Sequence, residues 1–382
     1  MTEDVITKSS DYAHQKARPS ILVISNYRNP VNPIRPEAEL FIGLAKRGFR
    51  IVVMTPASDS DYAIKLQKAG CTIIDHLPSS KFDFKTISLI KQVISQHEIS
   101  IVHAFNSKAI ANAAWALLWN KSVKLLSYRG YTGNIHWYDP SAYLSFLNPR
   151  IDYMICLAES VREMYIKNGV KESKAITINK GHDPAWYDGI EAGDLAEFNL
   201  EDTSMVCSFV ANFRTRMKGV KHLIEAAAML DNSYDVHFLM MGDGLDTDEV
   251  KAWITSSGQT SRFTFTGFRK DASNLVKACD VSLSLSLFGE ATQKAMIEAM
   301  YLGNPVVITD ISGNRGMVED GKGGFIVPSK NPEAVAIALK KLYESSDIRQ
   351  KMGEAAKKHI SSFLSINRSV EEYAALYERI SA

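Results

Sequence analysis

Two carboxylates, Glu290 and Glu298, stand eight positions apart after an apolar run that ends at Ser286. We expect the segment that joins them to be helical. Eight residues at about 1.5 Å each would then place the carboxylates roughly 12 Å apart along the helix axis. That separation suits two different parts of one extended ligand.

Glu298 lies inside the apolar run 296–300. We therefore expect its side chain to face the interior, where an ionised carboxylate needs hydrogen-bond donors. Sugar or ribose hydroxyls are suitable donors. The alternative is a surface stripe, in which Glu290, Lys294 and Glu298 form ion pairs at four-residue spacing.

A second cluster concentrates positive charge. Segment 211–219 follows an apolar strand, precedes a helix, and carries Arg214, Arg216 and Lys218 just before Gly219. Backbone N–H groups at a helix N-terminus, the helix dipole and these cations all favour a diphosphate. The alternative is a solvated basic turn. If the cluster is a ligand site, we expect Lys218 and Glu298 to share one cavity.

Gly242 and Gly244 follow another apolar strand, where glycines let the backbone approach a ligand closely. The third glycine of a dinucleotide-binding fingerprint is absent, which argues against a dehydrogenase. Loop 309–314 also follows a strand, and the loops at the carboxyl ends of parallel strands are where open sheets bind ligands. The ligand site is therefore expected at one edge of a parallel sheet.

The elements that must position these residues form two series of short apolar runs, each alternating with helical patterns. The first series comprises 21–25, 51–55, 72–75, 99–104, 123–127 and 153–157. The second comprises 204–210, 236–241, 263–266, 281–286, 306–309 and 325–327. Each series predicts a parallel sheet covered by helices. Segment 181–202 reads as the linker, and 366–380 as a final amphipathic helix.

The chain has 382 residues, which is enough for two domains, and a formal net charge of +1. That charge supplies no global field for a nucleic acid, so none is expected as a partner. The four cysteines show no metal-binding spacing and read as buried thiols in a reducing compartment. The start shows no signal-peptide core, and no later run is long enough to span a membrane, so we expect a soluble, cytoplasmic protein.

Taken in order, the landmarks of the second half resemble the retaining glycosyltransferases of family 4. The landmarks are Lys218, Gly219, the runs 241–244, 278–281, 298–300 and 303–306, Gly267, Glu290, Gly313, Asp320 and Gly321. The resemblance implies an α/β fold of the GT-B type, with two Rossmann-like, doubly wound parallel-sheet domains facing a cleft. It implies an acceptor-binding domain at 1–187, a nucleotide-sugar domain at 188–363, and a last helix, 364–382, packed on the first domain.

The resemblance also implies roles for individual residues. Glu290 would contact the donor sugar, Glu298 the nucleotide ribose, and Lys218 the departing diphosphate. The family usually has an arginine where this chain has Asn212, so Arg214 is favoured as the second cation, with Arg216 also near. The remaining residues expected to contact the nucleotide are Asn212, Gly242, Gly244, Phe268, Gly289, Ala291 and Thr292.

The N-terminal half matches the family more loosely. His103 stands at a strand end, where relatives often carry a histidine, and Arg129 stands where many relatives place a catalytic-site histidine. Both are candidate catalytic residues, as is His136, and each histidine could equally be structural. Loop 26–33 is rich in side-chain donors and reads equally well as a ligand loop or a surface loop.

Aromatic residues follow Arg129 closely. They are Trp137, Tyr138, Tyr143 and Phe146, and Arg150 comes soon after. Such residues can stack on sugars or touch a lipid interface, but core packing is the favoured interpretation. The pairs Asp59/Asp61 and Asp246/Asp248 imitate a metal-binding DxD motif and are better explained as capping acids.

The resemblance, together with these residues, implies a metal-independent hexosyltransferase without a cofactor. It would move a sugar from a nucleotide-diphosphate sugar to a glycan or glycolipid hydroxyl in cell-surface polysaccharide or lipopolysaccharide synthesis. Peripheral membrane contact would run through the N-terminal domain. Two alternatives are a sugar-nucleotide epimerase on the same fold and a non-catalytic sugar-nucleotide-binding module.

Overall fold

The computed structural model describes residues 18–28, 31–58, 60–133, 135–200, 203–288 and 290–381. Seven strands form a first parallel sheet in the order β3-β2-β1-β4-β5-β6-β7. They are β1 (Ser20–Ile24), β2 (Arg50–Thr55), β3 (Thr72–Asp75), β4 (Ile101–Ala104), β5 (Lys124–Arg129), β6 (Tyr153–Cys156) and β7 (Ala175–Thr177).

Six further strands form a second parallel sheet in the order β10-β9-β8-β11-β12-β13. They are β8 (Met205–Val210), β9 (Val236–Met241), β10 (Phe263–Gly267), β11 (Val281–Ser284), β12 (Val306–Thr309) and β13 (Gly324–Val327). Strand order reverses between β1 and β4 in the first sheet and between β8 and β11 in the second. Crevices for ligands open at the carboxyl ends of strands at such switch points.

Helices cover both sheets. In the first half they are α1 (Val31–Lys46), α2 (Asp61–Lys68), α3 (Phe84–Gln96), α4 (Ser107–Ala116) and α5 (Glu159–Lys167). In the second half they are α6 (Val220–Ala227), α7 (Asp248–Ser256), α8 (Ala272–Ala278), α9 (Lys294–Tyr301), α10 (Pro332–Tyr343), α11 (Ser346–Phe363) and α12 (Ile366–Ile380). None of the helices that the structure describes has the length and apolar character needed to span a membrane.

The central strands are apolar along their whole length because helices cover both of their faces. The residues 21–24 of β1 and 238–240 of β9 are completely inaccessible to solvent. This burial supplies the main favourable free energy of each domain. It also fixes the strand ends, and with them the loops that carry the polar residues. All four cysteines are free and buried, as predicted.

The chain crosses between the two halves twice, and the two crossings hydrogen-bond to each other. The His182 N–H donates to the Leu364 carbonyl, and the Ile366 N–H donates to the His182 carbonyl at 2.9 Å. A Cβ at Gly181 would overlap the backbone of Ile366. Beyond this point α12 packs against α1, in the first half of the chain.

The two halves also meet at the far edge of the cleft. A short 3-10 turn, Ser312–Asn314, follows β12 and contacts α5. Next to that turn, the Arg315 guanidinium lies 3.6 Å from the Glu163 carboxylate of α5. The loops of the second sheet therefore face the first domain at close range.

All twelve predicted strands are present, and the predicted final helix is α12. Strand β7 was not predicted, because its three residues follow a polar turn and add little apolar signal. The predicted helix through 290–298 is wrong in part. Helix α9 begins only at Lys294, so residues 290–293 are not helical and the 12 Å axial estimate does not apply.

Candidate active site

Lys218 and Glu290 form an ion pair at the carboxyl edge of the second sheet. The Lys218 ammonium lies 2.5 Å from a Glu290 carboxylate oxygen, and the side chains are 22% and 15% exposed. The Ser286 hydroxyl donates to the same oxygen at 3.1 Å. Two residues 72 positions apart meet because β8 and β11 are neighbours at the switch point of this sheet.

Backbone contacts hold the two loops of this pair together. The Leu287 N–H donates to the Met217 carbonyl at 2.8 Å, and the Lys218 N–H donates to the Arg214 carbonyl at 3.0 Å. Gly219 has a φ of +76°, and a Cβ there would overlap the Leu285 carbonyl oxygen. Only glycine therefore allows the Lys218 turn to lie this close to the loop after β11.

The turn before Lys218 is strained. Phe213 and Arg214 have φ values of 49° and 51°, a region that L side chains rarely adopt. The Asn212 side-chain oxygen accepts from the Asp243 N–H at 3.0 Å, and the Phe213 N–H donates to the Asp243 carbonyl at 2.8 Å. These bonds tie the loop after β8 to the loop after β9 and hold the strained conformation.

Gly242 and Gly244 serve the same loop contact. A Cβ at Gly242 would overlap the Ala211 carbonyl, and one at Gly244 would overlap the Phe213 ring. The glycine pair predicted from sequence thus allows two protein loops to meet. Direct contact of either glycine with a nucleotide stays a prediction.

The two arginines of the basic turn behave differently. Arg216 lies 2.5 Å from the Glu249 carboxylate of α7 on an exposed surface, and this bond raises the pKa of Arg216. For Arg214, no carboxylate of the described residues lies within 4.0 Å. Arg214 is thus the cation of this turn whose charge is not neutralised by a neighbour.

Residues 290–293 run from the ion pair to the start of α9. Ala291 is buried, Thr292 is half-buried, and Gly289 lies outside the described residues. A Cβ at Gly313 would overlap the backbone carbonyl of Glu290. The turn after β12 therefore packs directly on this segment. Gln293 is buried, and its side-chain NH₂ has no partner among the described residues.

Glu298 lies in the second turn of α9 and pairs with Lys294 at 3.2 Å. The surface-stripe alternative holds for this pair, but Glu290 binds Lys218 and not Lys294. Glu298 also lines a cavity of about 200 Å³. The other polar and aromatic side chains around it include Arg35, His182, Trp186, Tyr187 and Lys294.

Lys218 is not among the residues that line this cavity. The expectation that Lys218 and Glu298 share one cavity stays a prediction. Both residues follow strands at the switch point of the second sheet, and segment 290–298 connects Lys218's partner to Glu298. Phe268 is exposed in the loop after β10, on the same sheet edge.

His103 lies in the core of the first domain, where the side chain has no exposed area. Its Nδ1 is 2.7 Å from the Tyr377 hydroxyl of α12, and the rings of Phe105 and Tyr373 pack around it. Burial lowers the pKa of His103 to about 3. The structure gives its predicted catalytic role no support, because a substrate hydroxyl cannot reach an enclosed ring.

Arg129 is also buried, at the end of β5. Its guanidinium donates to the carbonyls of Tyr131 and Gly133, and it lies 4.0 Å from the Tyr131 ring centroid and 4.4 Å from that of Phe146. Burial lowers the pKa of Arg129. These contacts indicate that Arg129 shapes the loop after β5, and they give its predicted catalytic role no support.

The aromatic loop differs from the favoured interpretation. Trp137 and Tyr138 are each 64% exposed, and Tyr143 is also exposed, so core packing does not explain them. His136 stacks on Tyr138 at the surface. Core packing does hold for Phe146, against Arg129, and for Arg150, whose guanidinium pairs with Asp152 at 2.7 Å. The DxD residue Asp59 lies outside the described residues.

Two family models match the chain. The model of glycosyl transferases group 1 matches residues 194–359, and that of Glycosyltransferase Family 4 matches residues 38–186. The chain belongs to glycosyltransferase family 4. The paired Rossmann-like sheets are accordingly those of the GT-B fold, as predicted.

An uncharacterized glycosyltransferase of Methanocaldococcus jannaschii is 25% identical over 236 residues, which cover 60% of this chain and 59% of the relative. An Escherichia coli enzyme named UDP-Gal:alpha-D-GlcNAc-diphosphoundecaprenol alpha-1,3-galactosyltransferase is 26% identical over 231 residues, 59% of each chain. The chain thus matches about three fifths of the length of these curated relatives. The Anabaena protein HepE, solved with UDP, shares the fold with a TM-score of 0.73 at 20% identity, over 94% of this chain and 100% of HepE.

Sequence reasoning missed the N-terminal and linker side of the Glu298 cavity. Arg35 comes from α1, and His182, Trp186 and Tyr187 come from the segment read as a plain linker. The aromatic pair Trp186 and Tyr187 inside that otherwise polar segment was the available signal. Such residues are costly to expose and need a surface to cover.

The buried histidine generates a pH prediction. The pKa of His103 is about 3 in the folded protein, against about 6.5 unfolded, so the unfolded chain binds more protons between these values. The free energy of unfolding should therefore fall by about 2 kcal/mol per such histidine between pH 7 and pH 5. Urea unfolding of His103→Phe should show a smaller fall than the parent, and the exposed-site variant His136→Phe should show the same fall. An equal fall in all three proteins would contradict this account.

Proposed function

We propose that this protein transfers a sugar from a nucleotide-diphosphate sugar to a hydroxyl of a glycan or glycolipid acceptor. The observation that carries the proposal is the Lys218–Glu290 pair, held by strained and glycine-dependent loops at the switch point of the second sheet. Family membership and the UDP bound to HepE support the class of donor. The E. coli relative, whose name includes a diphosphoundecaprenol acceptor, supports a lipid-linked acceptor.

In the proposed mechanism the bond between the sugar C1 and the diphosphate oxygen breaks while Lys218 and Arg214 stabilise the charge that develops on the leaving group. Glu290 orients Lys218 and contacts the sugar, and Glu298 accepts from the ribose hydroxyls. The acceptor hydroxyl gives its proton to the departing diphosphate oxygen as the acceptor oxygen bonds to C1 on the face that the diphosphate leaves, which retains the configuration. The protein cations supply the stabilising charge, so we propose that no metal is needed.

The acceptor is proposed to bind at the carboxyl edge of the first sheet. The loop after β5 reaches that edge and exposes aromatic side chains, led by Trp137 and Tyr138. Tyrosine and tryptophan favour the boundary between lipid and water because one end of each ring is polar. A groove beside this loop is lined by Trp137, Tyr143 and Lys167. We propose that this loop makes peripheral contact with a membrane that carries the acceptor.

Lys218→Ala should lower transfer at least a hundredfold, because the leaving group loses its principal cation. The measurement is sugar transfer to an acceptor, after a panel of nucleotide sugars has identified the donor. Lys221→Ala is the matched control, since Lys221 is an exposed lysine that pairs with Glu225 one turn further along α6. Undiminished turnover in a folded Lys218→Ala protein would refute the assignment. Donor conversion without any acceptor would instead favour an epimerase.

Glu298→Gln should weaken nucleotide diphosphate binding about tenfold, because a neutral amide is a poorer acceptor for two ribose hydroxyls. Calorimetric titration with UDP, GDP and ADP measures this directly. Glu333→Gln provides a control at an exposed glutamate in the first turn of α10. Unchanged affinity for all three nucleotides would indicate that Glu298 forms only a surface ion pair with Lys294 and does not bind the ribose.

Replacing Trp137 and Tyr138 together by serine should reduce sedimentation with phosphatidylglycerol vesicles severalfold, because the substitutions remove the two rings that are proposed to insert into the membrane interface. Trp119→Ser is the control, because Trp119 is 90% exposed on a different surface. Sedimentation that depends on Trp119 and not on the loop would overturn the proposed orientation.

A further inference from the structure

The cavity beside Glu298 joins three parts of the chain. Arg35 enters from α1 of the first domain, Trp186 from the linker, and Lys294 and Glu298 from α9 of the second domain. Two of the three charged side chains in its lining are cations. The cavity therefore has a net positive lining, although the proposed ribose contact uses only the carboxylate.

Arg35 carries the charge that is not compensated. No carboxylate of the described residues lies within 4.0 Å of its guanidinium, which instead lies over the Trp186 ring at 5.4 Å from the centroid. Lys294, by contrast, is paired with Glu298 at 3.2 Å. An anion that enters the cavity would thus meet a guanidinium that has no carboxylate partner among the described residues and lies beside an aromatic ring.

The neighbouring imidazole of His182 lies close to the same positive charges. His182 is buried, and its Nδ1 lies 2.8 Å from the Tyr187 hydroxyl. Burial, and to a smaller extent the charges of Lys180, Lys294 and Arg35, lower the pKa of His182 to about 3. Cations from α1, from the residue just before His182's segment 181–202 and from α9 therefore act on one ring that borders the cavity.

We propose that this cavity binds a phosphate group between Arg35 and Lys294, at a site separate from the Lys218–Glu290 pair. A guanidinium donates two parallel hydrogen bonds to a phosphate, and an ammonium adds a point charge. The cavity, at about 200 Å³, is several times the roughly 30 Å³ of a water molecule. Because Arg35 and Lys294 belong to different domains, a bound phosphate links them across the cleft.

The phosphate has two possible sources, the donor nucleotide or a phosphorylated acceptor, and only this choice rests on the proposed function. Trp186 makes the site directly observable, since its indole borders Arg35. Inorganic pyrophosphate is the probe, and the Trp186→Phe protein shows which part of the fluorescence signal comes from this ring.

Pyrophosphate should change the Trp186 signal of the parent protein. Arg35→Gln and Lys294→Gln should each weaken that response about tenfold or more. Lys218→Ala should leave it in place, and so should the control Arg47→Gln, whose guanidinium pairs with Glu371 on an exposed surface. Thermal melting establishes that each variant is folded.

Two further titrations identify the source. An Arg35-dependent response to UDP that uridine lacks assigns the phosphate to the donor, whose diphosphate would then lie at Arg35 and not at Lys218 as the proposed mechanism has it. A response to a short prenyl diphosphate in protein already saturated with UDP assigns it to the acceptor.

The proposal is overturned if pyrophosphate leaves the Trp186 signal unchanged, or if folded Arg35→Gln and Lys294→Gln bind it as tightly as the parent. No step requires turnover, so failure here is distinct from failure of the proposed sugar transfer.

Discussion

The contact between Lys218 and Glu290 organises the second domain's ligand edge. It joins the loops that follow β8 and β11, the two strands on either side of the point where strand order reverses. Gly219 lets these loops touch, and the strained turn at Phe213 and Arg214 is held by hydrogen bonds to the loop after β9. Glu290 neutralises Lys218 in this pair. In the proposed mechanism a diphosphate shares or replaces that carboxylate, which ties the position of Lys218 to that of Glu290, the proposed sugar contact.

The same contact connects the ligand edge to the rest of the molecule. Gly313 packs on the backbone of Glu290, and the neighbouring Arg315 reaches Glu163 of the first domain. A change in the distance between the domains would therefore shift the segment that holds Glu290. On the opposite side, Arg35 and Lys294 face one cavity beside the paired crossings. Residues of the two domains therefore meet at the Arg315–Glu163 ion pair and again around this cavity.

Much of this fold was readable because parallel strands covered on both faces are short apolar runs, and twelve of thirteen were found that way. The exception, β7, has only three residues. The start of α9 was misplaced because Glu290, Ala291, Thr292 and Gln293 have adequate helix propensity, while the pairing of Glu290 with Lys218 and the contact with Gly313 hold them in another conformation. Tertiary contacts decided the local structure there.

The residues of the candidate site also fall into two groups, those that could be placed from the sequence and those that could not. Lys218 and Glu290 could be brought together from strand order alone, and Glu298 follows on the same segment. Arg35 and His182 could not, because their contribution depends on how α1 and the linker lie against α9. The burial of His103 could not be read from sequence, because strand ends look alike whether the side chain enters the cleft or, as here, meets Tyr377 of α12.

A crystal structure of the protein with UDP tests the central claim most directly. The account predicts diphosphate oxygens within hydrogen-bond distance of the Lys218 ammonium and ribose hydroxyls at the Glu298 carboxylate. UDP bound elsewhere, with Lys218 still paired to Glu290 and Glu298 free of the ribose, would contradict it.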